Sequence, residues 1–279
     1  MPLKLMYITN DPVVAGIAER AGVDRIFVDL EYVGKEQRQP GDTVKSHHTI
    51  NDVHRIRGAL SGAELLVRCN PIAEPSPDFV GSEEEIEGIV RAGADVIMLP
   101  MARSEDEVRR FVELVGGRAR TMLLVETREM AESLEAVLEH CPTDEVHIGL
   151  NDLHLSYGRR FMFELLADGT VERIAGIAKK RGIPFGFGGI ARIGLGLLPS
   201  EHVITEHYRL GSGAAILSRS FCNIQHLTDI REIEKIFTEG VGNIRDFEAT
   251  LPSYTPEQLE ENRKITVSLV EKIRDGIGG

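Results

Sequence analysis

The sequence predicts a (β/α)8 TIM barrel, and three observations carry that prediction. Short apolar runs of strand length alternate with longer stretches of helical period along most of the chain. The apolar runs lack an in–out alternation, as expected of strands covered on both faces. About eight such units fit into a chain of 279 residues, close to the roughly 250 that a closed barrel takes. The expected division is a barrel over 1–222 and a helical extension over 223–279, packed on the barrel or on a neighbouring subunit.

The elements follow in order. Residues 3–9 read as strand one, and Asn10 or Asp11 caps a helix that Pro12 opens and Gly22 ends. Strand two, 25–30, runs into Asp29-Leu30-Glu31. The polar stretch 34–48, with a Pro40-Gly41 turn, is long for a barrel loop and reads as a lid or binding loop. A helix over about 49–60 comes next. Strand three, 63–67, delivers Arg68 to its end. Helices starting near Ser82 and Ser104 each open on a capping box, with Glu85 and Glu107 as partners, and strand four, 94–99, lies between them.

Strand five, 121–125, ends on Glu126, and strand six, 145–149, leads into Asp152. A helical region over 161–181 is broken near Gly169. Strand seven, 184–188, is glycine-rich, and a short helix starts near Ser200. Strand eight is expected over 208–214, with 215–221 continuing as helix. Two helices, over 229–247 and 255–277, make the tail, the second opened by Thr255-Pro256-Glu257.

Composition excludes several classes of function. Lys and Arg number 32 against 44 Asp and Glu, a net charge of -12, which repels phosphate backbones and argues against nucleic acid. No run of 18 apolar residues suggests a membrane span. Trp is absent and aromatics are 5%, which does not suit a base-stacking surface. Cys69, Cys141 and Cys222 are far apart, form no zinc or redox pair, and fit a reduced, cytoplasmic setting, as does a start without a secretory pattern.

Chemistry is expected at the strand ends. In a parallel barrel, Glu126 and Asp152 converge at one mouth, and two carboxylates on a rigid rim can hold a hard divalent cation whose shell water and substrate complete. Caps and arginine pairs are the other common fates of such carboxylates.

Three segments resemble the HpcH/HpaI aldolase and citrate lyase family of the pyruvate and phosphoenolpyruvate barrel superfamily. They are LLVRCNP with Arg68, LLVETREM with Glu126, and HIGLNDLHLSYG with Asp152; GADVIMLPM is a fourth match that carries architecture. The resemblance spans roughly 1–222. It implies an aldolase-type carbon–carbon lyase that works through a metal-bound enolate of a small 2-oxo acid, in an enzyme expected to be a homo-oligomer. It assigns a divalent metal (Mg²⁺, Mn²⁺ or Co²⁺) to Glu126 and Asp152. It places Arg68 on the ketone oxygen, where charge develops, and the backbone around Gly149, Leu150 and Asn151 on the substrate carboxylate. For Arg68, pairing with Asp29 or Glu31 is the structural alternative.

The sequence departs from that family at its proton shuttle. Tyr32 stands where the aldolase branch has His, and Arg91 where it has the supporting Asp; the citrate-lyase branch's acidic run is matched through Asp29-Leu30-Glu31 and then broken. His47 and His48, in the long loop, are candidate replacement bases, with a solvated pair as the plainer reading. His54 fits a surface position, His154 a further ligand or support, and His147 either the barrel interior or its core. The run from Phe185 to Arg192 is open to a phosphate site or to tight turns. A thioester lyase, a phosphoenolpyruvate-using enzyme and a non-catalytic metabolite-binding barrel are the competing functions.

Overall fold

Eight parallel strands close into a ring in sequence order, with the eighth returning to the first. The computed structural model describes residues 2–35, 48–224 and 226–277. The strands are β1 (Lys4–Ile8), β2 (Arg25–Asp29), β3 (Glu64–Arg68), β4 (Val96–Leu99), β5 (Arg120–Val125), β6 (Glu145–Ile148), β7 (Phe185–Ile190) and β8 (Ala214–Leu217). Their aliphatic runs serve two surfaces at once. Phe27, Leu66, Met98, Met122 and Leu124 fill the inside of the ring, while the alternate positions join the larger core beneath the helices.

The helices between strands are α1 (Pro12–Arg20), α2 (Ile50–Ala59), α3 (Ser82–Arg91), α4 (Glu105–Val115), α5 (Arg128–His140), α6 (Leu150–Ser156), α7 (Glu164–Ala167), α8 (Thr170–Lys180) and α9 (Ser200–Leu210). Asp11 caps α1 with Pro12 at its first position, and Ser104 with Glu107 forms the expected box on α4. The tail forms α10 (Ile230–Thr250) and α11 (Pro256–Gly276), the latter capped by Thr255. Both pack on their own barrel. Helix α10 lies on α1, with Phe237 edge-on to Tyr7 at 4.8 Å, and Glu248 accepts the Leu3 N–H at 2.6 Å. Helix α11 lies on α7 and α9.

Three local expectations are corrected. Strand eight is Ala214–Leu217, and 208–210 are the last turn of α9. Tyr208 and Leu210 imitate a strand, but Val203, Ile204, His207 and Leu210 form one buried helical face that Gly211 ends at φ 74°. Residues 215–217 are therefore strand, and turns follow where helix was expected. At α3 the N-cap is Gly81. Ser82 instead accepts the Ala73 N–H at 2.9 Å, and Glu85 turns inward to Asn70, so this capping box does not form. Much of the 34–48 loop lies outside the described residues.

Candidate active site at the barrel mouth

A cavity of about 730 Å³ opens at the carboxyl ends of the strands, the end where barrels of this kind carry their chemistry. Asp29, Arg68, Glu126, Gly149, Leu150, Asn151 and Asp152 all line it. Each strand delivers its last inward residue to the rim because side chains alternate along it.

The β2 and β3 side is a closed ion-pair knot. Asp29 receives Nε and Nη2 of Arg68, both at 2.8 Å, and Nζ of Lys35 at 2.9 Å. Nη2 of Arg68 also lies 3.4 Å from Glu31, so the structural alternative for Arg68 is realised. Burial alone would raise the Asp29 carboxyl, but Arg68 and then Lys35 overcome it and hold it far below the usual carboxylate range. Nη1 of Arg68 is the edge of the fork that Asp29 does not engage. Lys35 was missed from sequence. Its only signal was a cation a few positions past an acidic strand end.

Glu126 sits in the opposite situation. It is 3% exposed, and Oε1 accepts the Met101 N–H at 2.9 Å. Met101 has φ 54°, the only non-glycine described with positive φ, and the turn aims its amide at the carboxylate. Burial first, then the charges of Glu31 and Asp152, push Glu126 up to about 8, with Arg68 offsetting only part. A side chain at Gly149 would place Cβ 3.0 Å from the Glu126 Cβ and 3.1 Å from Oε2, so it would crowd the carboxylate.

Asp152 lies in the first turn of α6. The Gly149 N–H donates to the Val125 carbonyl at 3.0 Å, so its expected part in holding a substrate carboxylate is taken up by the barrel. The Leu150 and Asn151 amides open α6, where a helix offers no internal acceptor.

A buried acid beside two further carboxylates is a site that a divalent cation would relieve. Among the described residues no group of three or more His, Cys, Asp or Glu is arranged to hold an ion. A cation here would rest on Glu126 and Asp152 alone and would fill its shell with water and substrate, as Mg²⁺ does with one or two carboxylates.

The histidines divide differently from expectation. Nδ1 of His48 accepts the Asp29 N–H at 3.0 Å, so its lone pair is used and its proton sits on Nε2. Burial lowers its pKa, with the charges of Asp29 and Asp52 opposing. His48 thus offers a hydrogen-bond donor, which corrects its expected role as base. His47 lies outside the described residues. His154 is buried with Nδ1 3.1 Å from the Leu150 carbonyl, as a support. His54 is exposed. Tyr32 is 47% exposed and its hydroxyl donates to the Asp78 carbonyl at 2.7 Å, away from proton transfer. His147 is 1% exposed and lines the cavity with neither ring nitrogen hydrogen-bonded among the described residues, an arrangement that typically costs about 1–3 kcal/mol. Arg192 packs toward Gly240 of α10 and does not line the cavity, so its expected help to a phosphate is not met.

Fold and mouth define a (β/α)8 barrel with an acidic, cation-knotted cavity at its functional end. Solved structures that share the fold include two HpcH/HpaI proteins. The HpcH/HpaI aldolase from Desulfitobacterium hafniense DCB-2 is 17% identical, with a TM-score of 0.59, covering 91% of this chain and 96% of its own. An HpcH/HpaI aldolase/citrate lyase family protein from Burkholderia cenocepacia J2315 is 16% identical, with a TM-score of 0.60, covering 83% and 94%. No family model and no curated protein matches the sequence. No described helix is long and apolar enough to cross a membrane.

Proposed function

We propose that the protein is a divalent-metal-dependent carbon–carbon lyase of the HpcH/HpaI aldolase and citrate lyase family, acting through the enolate of a small 2-oxo acid. The arrangement that carries this reading is Glu126, a buried carboxyl that lines the mouth together with Asp152 and has Glu31 and Arg68 as charged neighbours. Glu126 and Asp152 would hold the ion, which would supply Lewis-acid stabilisation of charge on the substrate's ketone oxygen. Arg68 is locked on Asp29 through Nε and Nη2, and its remaining Nη1 edge would serve the same charge from a side chain already fixed in place. His48 donates from Nε2, and the Leu150 and Asn151 amides receive the substrate carboxylate.

The engaged lone pair of His48 and the outward Tyr32 favour a second reading, a barrel that binds a metabolite without turning it over. Exchange of pyruvate C3 protons in D₂O, with Mg²⁺ or Mn²⁺ and then with chelator, separates the two. Metal-dependent exchange is expected. Metal-dependent binding of oxalate without exchange would replace the lyase by the binding barrel, unless a thioester or phosphoenolpyruvate is then turned over.

A further inference from the structure

We propose that His147 is a ligand-contacting residue that selects an oxo acid bearing a hydroxyl on its third carbon over one bearing a methyl group there. The inference rests on the oxo-acid reading of the mouth and adds to it a residue and a specificity. His147 lies on β6 two positions before Gly149, one inward step below the rim, and its ring lines the cavity. The cavity is also lined by the apolar side chains of Phe27, Met98, Leu124 and Ile216. A hydrocarbon at this position would pack as well and would favour a methyl-tipped ligand.

The fold makes room for the imidazole at a stated place. A side chain at Gly186 would put Cβ 2.8 Å from Nδ1 of His147 and 2.5 Å from the Ala214 carbonyl oxygen, so β7 must be bare where the ring lies against it. Nevertheless, both ring nitrogens lack a hydrogen-bond partner among the described residues. One ring nitrogen faces the Gly188 backbone, which acts on it as a hydrogen-bond partner would and raises the ring's pKa against burial, although the contact falls outside strict hydrogen-bond geometry. His48, the other described imidazole lining the cavity, has its lone pair engaged by the Asp29 amide.

The ring's charge state narrows the ligand. Burial, and secondarily Arg25, lower His147 to about 4, so near neutrality it carries one N–H and one lone pair. A hydroxyl, which both donates and accepts, complements that pair. A carboxylate only accepts, and an ammonium only donates.

The isosteric acids 3-hydroxypyruvate and 2-oxobutanoate test this, since they differ by hydroxyl for methyl. With Mg²⁺, the wild-type protein should bind 3-hydroxypyruvate more tightly by about tenfold, the size of one buried hydrogen bond made or left unmade. In His147→Phe the ratio should fall to about one, and His147→Asn should restore part of it. In ¹⁵N-histidine-labelled wild-type protein, the His147 ring resonances should shift with 3-hydroxypyruvate and stay in place with 2-oxobutanoate, a readout that needs no variant to fold. Equal affinities in wild type, a ratio untouched by His147→Phe, or unmoved ring nitrogens with 3-hydroxypyruvate bound would each overturn the proposal and leave His147 to a trapped water. Failure of both acids to bind would remove the oxo-acid reading and this inference with it, and is distinct from equal binding.

Discussion

The two ends of the barrel interior are both built from buried charges, and they are resolved in opposite ways. At the amino end, Arg25 is fully buried between Glu64 and Glu145, with bonds of 2.8–3.0 Å, and Lys4 and Arg120 close the cluster from the rim. Against burial, which raises it, these cations hold Glu64 down at about 2. At the carboxyl end, Arg68 and Lys35 both converge on Asp29, and Glu126 is left among like charges with its carboxyl at about 8. Saturated pairing closes an end of the barrel. An acid left partly unbalanced beside a cavity is a place made for something to bind.

The comparison breaks most visibly at Glu126. Glu126→Gln should reduce metal-dependent proton exchange by about 10²- to 10³-fold, the scale of losing a main electrostatic support. The metal-free variant should unfold at a higher temperature than wild type near neutral pH, because the native state no longer has to hold a buried proton that the unfolded carboxyl releases. Exchange in D₂O reads the first, and calorimetry with and without Mn²⁺ reads the second. Retained exchange together with a lowered unfolding temperature would make Glu126 a structural acid like Glu145. The amino end should respond the other way. Glu145→Leu leaves Arg25 half-paired in a dry interior and should cost about 3 kcal/mol in urea unfolding, while metal-dependent oxalate affinity of the folded protein holds. A loss of oxalate affinity as large as the loss of stability would mean that the two ends are not independent.

Much of the mouth was legible because a barrel strand places its last inward side chain by position alone. Arg68, Glu126 and Asp152 needed only the strand ends and the parallel topology. Caps that act within four residues, at Asp11, Ser104 and Thr255, were equally plain. Strand eight was not, since Tyr208 and Leu210 satisfy both periods over so short a run and only the far end of α9 settles the matter. Contacts across the fold were invisible. Lys35 reaches Asp29 from a loop, the Asp29 amide occupies His48, and Asn70 draws Glu85 out of its expected cap. Gly149 was read as a donor, when its role is the space it leaves beside Glu126.

Glu85 supplies the smallest of the tests, and the one that asks what holds the charged knot in place. Its carboxylate receives the Asn70 N–H at 2.9 Å and Nδ2 at 2.6 Å. Oδ1 of Asn70 in turn receives the Tyr32 and Val33 amides, each at 2.9 Å, and Nδ2 also reaches the Leu30 carbonyl at 3.1 Å. This network fixes the segment that carries Glu31 and leads to Lys35. Burial raises Glu85 to about 7, with Asn70 opposing. Its folded pKa exceeds its ordinary value of 4.5, so between these two pH values the native state holds the proton that the unfolded state has released. Stability from this group is therefore greatest in acid and declines as pH rises through about 7, by on the order of 2 to 3 kcal/mol in all. His147 works against it at lower pH, since its depressed pKa of about 4 makes the native state bind fewer protons than the unfolded one. The quantity to measure is thus the difference between wild type and Glu85→Gln in urea unfolding from pH 5 to 8. That difference should move in favour of the variant as pH rises. A constant difference across the range would show that Glu85 is ionised throughout, and that Asn70 is held by a carboxylate at both ends of the scale.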